Sequence, residues 1–520
     1  MNHHHHHPHT LIADFTTGNV NRQLVSFAMP MFLSHLLQIV YNMADMIIVG
    51  QTLGKVGLSA ISVGGDIMNC MTFIAMGFSS AGQVLIAQYI GAKQHDKLSR
   101  FVATMSAALF GFACCVTGIG LLFRREIMEL MHTPPEAFAE ALSYAGISMA
   151  GIVFVYGYNA VSAILRGMGD AKHPFYFISL AALLNIVLDV IFVMQLGTGA
   201  KGAALATILS QGVSFLLCAG FICKNRGRYH LSLSFGQFFR PEKEMLLSLL
   251  KLGVPMAIKN AAVQFSKMFV NSWVNSFGVA VSAFAGVANK INMSVNMMSN
   301  SVNTAGASMV GQNIGAAQYD RVRQIVVAVY RIMLAVAAVA SLVIYFFPEQ
   351  VYGIFTDDPA VIRIGYEYIP IAILAFFSCA GRSGSNALIN GSGNSRVNFI
   401  TAVFDGIVLR LGLSVLFGIV LDMKYMGFWL GDALANFTPL WVGLCFIIPA
   451  RGKRKSCEGL YRRKSCERFY NCCVLCVLVL AHCRNCIVQS IFKYYNKISN
   501  VATDDRQQTE KGGADSSAFP

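Results

Sequence analysis

Twelve times before position 450 the chain stays apolar for about 20 residues, the length an α-helix needs to cross the hydrocarbon of a bilayer. The stretches are 24–48, 57–80, 101–122, 137–160, 174–194, 200–222, 246–274, 280–304, 324–346, 361–385, 397–420 and 425–448. Such a chain is expected to be an all-α integral membrane protein. Its charge content agrees: 13% of residues are charged, against about 25% in ordinary soluble domains. The first stretch is too long for the apolar region of a signal peptide, and nothing after it reads as a soluble domain.

Basic residues set the expected topology. With the N-terminus inside the cell, fourteen Lys and Arg fall in inner loops or at the span ends beside them, from Lys93 to Arg396, against six in or beside outer loops. The positive-inside rule then puts the N-terminus and the end of helix twelve in the cytoplasm, with the chain multi-pass in the cytoplasmic membrane. Most of the formal charge of +14 comes from this bias and from a basic tail. Nucleic acid is therefore not an expected partner.

The chain also repeats itself. "GQVLIAQYIGAKQHDKLSR" (82–100) returns as "GASMVGQNIGAAQYDRVRQ" (306–324), 224 residues later, and "RGMGDAK" (166–172) returns as "NGSGNSR" (390–396) at the same offset. "SFAMPM" (26–31) has a looser partner in "KLGVPM" (251–256). An even number of helices per copy makes the repeats parallel, giving two pseudo-symmetric six-helix lobes with a cavity between them, a layout common among secondary transporters. The segments expected are 1–20, a disordered N-terminal stretch; 21–235, the N-lobe with the ion site; 236–450, the C-lobe; and 451–520, an atypical tail. The chain carries no nucleotide-binding Walker A pattern, so the driving force has to come from an ion gradient or a partner.

Polar residues inside apolar spans are costly and point to sites. Asp45 lies in the outer part of span 1. Asn185 and Asp189 are four apart on span 5 and share a face. Thr207 lies about 10 Å into span 6 at 1.5 Å per residue, and Asp66 and Asn69 share a face of span 2. These groups are expected at similar depth, where oxygen ligands suit Na+ and a desolvated carboxylate suits a proton. Helix-bridging hydrogen bonds are the plainer reading of Asn185 and Thr207, and a wet helix end that of Asp45. The second half lacks acids between Glu244 and Asp320. Its span 8 carries Asn289, Asn292, Asn296, Asn300 and Asn303 as one stripe, and span 7 adds Gln264, Lys267 and Asn271. These read as the lining of a wet substrate cavity or as interhelical glue. Asp405 and Arg410 are placed to neutralise each other. Pro30, early in span 1, removes a backbone hydrogen bond and is a candidate hinge.

"YNMADMIIVG", "AQYIGA", "RGMGDAKHP", "LNIVLDVIF" and "GAALATILSQ" together resemble the signature segments of the multidrug and toxic compound extrusion (MATE) family over roughly residues 20–448. The resemblance implies an antiporter that expels organic, often cationic compounds in exchange for Na+ or H+ by alternating access. No cofactor beyond the coupling ion and no enzymatic activity are expected, and because two internal repeats already supply a pseudo-dimer the chain is expected to work as a monomer. By resemblance Asp45, Asn185, Asp189 and Thr207 match the N-lobe ion site, with Asp66 a further candidate, and Pro30 matches a proline linked to first-helix bending. Some members carry an acid on helix seven, where this chain has Lys259 and Lys267, so a C-lobe cation site is not expected.

The rival function is a lipid-linked saccharide flippase, which needs several basic residues facing its cavity. Here the central Lys267, Arg331, Arg382 and Arg410 stand beside at least four acids. A lone His35 with no nucleophile near it offers no enzyme site. The tail 451–520 holds seven of the fourteen cysteines, with Cys473-x2-Cys476 and Cys483-x2-Cys486 spacings. It reads as a frameshift or unrelated fused sequence, as a basic membrane-surface segment, or as a metal site. The histidine run at 3–7 reads as a flexible surface tract. A cavity rich in Phe and Met suits broad recognition.

Overall fold

The computed structural model describes residues 10–131, 133–232, 234–238 and 240–447. The tail and the histidine run lie outside the described residues. Short helical turns aside, the long helices are α1 (Val20–Gly54), α2 (Val56–Gly91), α3 (His95–Leu122), α4 (the pair Pro135–Ala150 and Ile152–Gly167), α5 (Lys172–Gln195) and α6 (Ala200–Lys224). In the second half they are α7 (Lys243–Asn275), α8 (Val279–Gly315), α9 (Tyr319–Phe346), α10 (Pro359–Gly391), α11 (Ser395–Val420) and α12 (the pair Lys424–Ala435 and Thr438–Ile447).

Nine of these are long and apolar enough to cross a membrane, and ten if α4, bent by 44° at Gly151, is one span. The remaining two expected spans differ from that description for separate reasons. The stretch 280–304 falls within α8, a 37-residue helix, whose amide stripe dilutes its apolar character. The stretch 425–448 is divided at Asn436 and Phe437 into helices of 12 and 10 residues. The chain is a multi-pass, all-α membrane protein. Its outer faces agree: α9 alone exposes Val339, Leu342, Val343, Tyr345 and Phe346, a patch that lipid tolerates and water does not.

The break between α1 and α2 is made at Gly54. Gly54 has φ 57° and ψ −143°, and no neighbouring group within 4 Å of where a Cβ would sit. The positive φ there, and not crowding, is what calls for glycine.

The repeat is visible in the backbone. A Cβ on Gly91 would lie 1.8 Å from the Gln312 carbonyl oxygen, and one on Gly315 would lie 2.1 Å from that of Gln88. These reciprocal contacts join the end of α2 to the end of α8. Within each half the pattern also recurs: Gly167 meets the Gln83 carbonyl as Gly391 meets that of Ala307, both below 3 Å. The turns match too. Lys93 and Ala317 are both left-handed, at φ 56° and 57°. Asp170 accepts from the His173 N–H at 3.2 Å, and Asn394 from that of Val397 at 3.3 Å. Asp and Asn caps of this kind satisfy a free N–H of a first helical turn.

From Thr10 onward the N-terminal stretch is held in place, a correction to the disorder expected for 1–20. Its N–H groups at Leu11 and Ala13 donate to the carbonyls of Arg228 and Met168, each at 3.1 Å, in the first half. Phe15 then donates to Gln312 Oε1 at 2.5 Å, while Arg321 Nε donates to the Phe15 carbonyl at 2.8 Å, in the second half. The reason is invisible in composition: the second-half groups that hold this strap are two amides at the end of α8, Gln312 and Asn313, and Arg321, some 300 residues away in sequence.

Candidate functional site

Asp45 on α1 and Asp189 on α5 are both buried, at 8% and 0% exposure. Neither Asp189 oxygen has a hydrogen-bond partner among the described residues, nor does Asp45 Oδ1. The two carboxylates lie within electrostatic reach of each other, and Tyr144 of α4 lies within reach of both. One turn before Asp189, Asn185 Nδ2 donates to Thr207 Oγ1 of α6 at 3.4 Å, which leaves Asn185 Oδ1 without a partner. A narrow cavity of about 10 Å³ lies beside Asn185 and Thr207, closed in by Tyr41, Ala182, Ser210 and Gln211. That is close to the smallest space that holds one water.

Burying a carboxylate without a donor costs several kcal/mol unless a proton or a cation compensates it. Here two acids and an amide oxygen, all short of partners, meet at the junction of α1, α5 and α6. The donor set is oxygen throughout, which fits a hard cation such as Na+, and an acid pair equally fits a shared proton. Immediately after Asp189 the helix widens into a π-helical turn, Val190–Gln195. Such turns recur at functional sites, and no sequence signal announced this one.

Other expected residues fall elsewhere. Asp66 and Asn69 are exposed on α2, with no hydrogen bond among the described residues, and Asp66 stands apart from the buried pair. Pro30 is half-buried within α1, and the Ser34 hydroxyl donates to its carbonyl at 2.8 Å. In α8, Asn292 Nδ2 donates to the Tyr368 hydroxyl at 2.9 Å, and Asn296 Oδ1 accepts from Arg382 Nη2 at 2.6 Å. Those two amides bridge to α10, whereas Asn300, also on α8, is exposed. Gln264 is exposed and Asn271 half-buried on α7, and no hydrogen bond holds either among the described residues. Lys267 is half-buried and faces the electrostatic field of Asp432, Arg410 and Arg382.

Sequence reasoning missed Asp432. In the second half, Arg410 of α11 and Asp432 of α12 form an ion pair, and Arg410 Nη2 also donates to Asp405 at 3.1 Å and to Asn436 at 2.9 Å. Arg410 and Asp432 are 22 residues apart, as are Asn185 and Thr207. The helices correspond as well: Gly202 packs on Phe192 as Gly427 packs on Phe417. Arg410 therefore occupies the position of Asn185, and Asp432 that of Thr207, one residue later than the offset relating the loops. An additional π-helical turn, Phe404–Leu409, lies between the matching loop and Arg410 and takes up that residue. Where the first half has unpaired oxygens, the second has a guanidinium built in.

Among the described residues no group of three or more His, Cys, Asp and Glu side chains could hold a metal ion. The family model for MatE matches residues 30–191 and 255–416, one copy in each half. "Probable multidrug resistance protein YpnP" of Bacillus subtilis (strain 168) is 29% identical over 418 residues, covering 80% of this chain and 93% of that protein. A MOP superfamily transporter from Pyrococcus furiosus, described as having a binding pocket of reverse polarity, aligns with TM-score 0.76 at 25% identity, over 84% of this chain and 96% of that one. A MATE solved in a bent conformation aligns with TM-score 0.75 at 26% identity, over 82% and 95%.

Proposed function

The chain belongs to the MatE family, and from that premise we propose that it is a secondary antiporter exporting organic, often cationic compounds in exchange for Na+ or H+. The observation that carries the coupling is the buried pair Asp45 and Asp189, with three oxygens of the pair unsatisfied. Transport and not enzymatic catalysis is the function of this family, and the chain is a transporter.

In the proposed cycle one Na+ or one proton enters from outside and binds between Asp45 and Asp189, with Asn185 Oδ1 and Thr207 completing an oxygen shell for Na+. One added positive charge shared by the two acids weakens their mutual repulsion and lets α1 move against α5. Pro30, whose missing N–H weakens the start of α1, is the hinge, a reading supported by the bent form of a similar transporter. Asp66 joins the ion path at its exposed end. The cargo occupies a cavity between two six-helix lobes of a twelve-span body, lined by Asn69, Gln264, Lys267, Asn271, Asn292, Asn296 and Asn300. Both ends of that body face the cytoplasm, the chain acts as a monomer, and the membrane is the cytoplasmic one.

A lipid-linked saccharide flippase is the second reading, favoured by the basic residues of the second half. Efflux of a fluorescent organic cation from liposomes, under separate Na+ and pH gradients, decides between them. Efflux driven by one gradient and lost in both Asp45→Asn and Asp189→Asn is expected. Normal coupling in both variants removes the ion site from this pair, and folded protein inactive toward cations transfers the reading to the flippase.

A further inference from the structure

The second half holds more buried positive charge than it neutralises. Lys259, Lys267, Arg382 and Arg410 interact electrostatically with one another and with two acids, Asp405 and Asp432. Both acids are already bound to Arg410. Lys259 Nζ donates to Asn386 Oδ1 at 2.6 Å, and Arg382 donates to Asn296 Oδ1 at 2.6 Å and Asn436 Oδ1 at 3.2 Å. Neutral amides orient these cations without cancelling their charge. Lys267 lacks even that: its ammonium makes no hydrogen bond or ion pair among the described residues. An unbalanced cation at membrane depth is expensive and marks a pathway or a ligand.

Exposure shows which of these charges a ligand can reach. Arg410 is fully buried, while Lys267 and Arg382 are half-exposed; Arg382 and Arg410 both donate to Asn436 Oδ1, and Lys267 and Arg382 both lie within electrostatic reach of Asp432. An ammonium beside a guanidinium whose remaining N–H groups are unclaimed is a receptor for a carboxylate, which accepts charge-assisted hydrogen bonds from both.

We propose that Lys267 and Arg382 form an anion-binding subsite that takes the carboxylate of an amphoteric organic cargo, so that the favoured substrate carries an acid group as well as its cationic one. The subsite rests on the antiporter reading for the cavity in which it lies, and it adds a substrate class to that reading. A charge-assisted hydrogen bond discriminates by about tenfold or more between a ligand that makes it and one that does not.

The test uses a matched pair of fluorescent xanthene dyes, the zwitterionic carboxylic acid and its cationic methyl ester, with binding to purified full-length protein read by fluorescence anisotropy. Wild-type protein is expected to bind the acid about tenfold more tightly than the ester. Lys267→Gln is expected to bring that ratio close to one, and Lys267→Arg to restore it. A wild-type ratio of one or below overturns the subsite, as does a ratio that Lys267→Gln leaves unchanged. If Lys267→Gln does not fold, the wild-type ratio and that of Lys267→Arg decide. Gradient-driven efflux of the ester, followed separately, reports on the antiporter reading. An ester that is not exported, beside an acid preference that depends on Lys267, refutes that reading and leaves the anion site standing.

Discussion

Arg410→Gln isolates the charge network of the second half. The guanidinium is 0% exposed and holds Asp405, at 1% exposure, and Asp432, at 28%. Removing one member of a buried ion pair costs about 3–5 kcal/mol, because the partner is left charged and unpaired. Two lysines soften the loss, since Lys259 interacts with Asp405 and Lys267 with Asp432. The lower bound, about 3 kcal/mol, is therefore the expected figure. At about 2.1 cal/mol/K per residue, a body of roughly 430 residues unfolds with an entropy near 0.9 kcal/mol/K, so the melting temperature should fall by about 3 °C. Thermal unfolding of purified protein in detergent measures this. Asp405→Asn and Asp432→Asn introduced together with Arg410→Gln remove the stranded charges and should recover most of the loss. Lys267→Gln added to Arg410→Gln should lower the melting temperature by more than it does in wild type. A single variant as stable as wild type, or a triple variant less stable than the single, would show that these charges are solvated and refute the reasoning.

Gly91→Ala places a methyl 1.8 Å from a backbone carbonyl that no rotamer change can move, and Gly315→Ala does the same at 2.1 Å. Each should destabilise by at least about 1–3 kcal/mol, whereas Gly65→Ala, with open space around it, should be neutral or slightly stabilising in the same melting assay. The strap at residues 10–19 should be acid-labile. Burial of Asp14 works to raise its carboxyl, but hydrogen bonds from Thr16 and Thr17 and the nearby Arg321 outweigh it and hold the group below its ordinary 3.8. A depressed carboxylate stabilises the folded form above the unfolded pKa and ceases to as pH falls through the folded one. Hydrogen exchange at Ala13–Thr17, corrected for intrinsic rates, should show constant protection from about pH 8 to 5 and loss only below about 4. Loss between pH 7 and 5 would assign the strap to another group.

The class of the chain was legible because twelve apolar stretches and three motif pairs are long-range patterns that local packing does not alter. The proximity of the first-half polar groups was legible as well: four-residue spacing on a helix put Asn185 and Asp189 on one face, and depth counting put Asp45 and Thr207 near them. Where the sequence reading fell short, an irregularity intervened. The π-helical turn Phe404–Leu409 advances the second half by one residue, so an alignment at the loop offset sets Arg410 opposite the wrong position and hides Asp432. "GAALATILSQ" aligned with "GFWLGDALAN" one residue later brings Thr207 opposite Asp432 and Gln211 opposite Asn436. The strap was missed for a different reason: toward Gln312, Asn313 and Arg321 it offers its own backbone N–H and C=O groups, which leave no side-chain signature in the strap itself.

The corrected register gives the asymmetry of the halves a physical sense. Both halves use the same two helices and the same spacing to bury polar groups at one place, yet they meet the cost of that burial in opposite ways. The second half carries its cation covalently, as Arg410, which pairs with both Asp405 and Asp432. The first half leaves Asp45 and Asp189 without such a partner among the described residues, and on the proposed cycle the coupling ion that arrives and departs supplies the missing charge. On the proposed cycle only that site exchanges charge with the two sides of the membrane. One charge crossing 100 mV supplies about 2.3 kcal/mol, and a second transient site would double the ion cost of each export step. On the same proposed cycle, a permanent guanidinium in the second half keeps the frame of the repeat and confines coupling to one ion, and the proposed subsite then uses Lys267 and Arg382 to contact cargo.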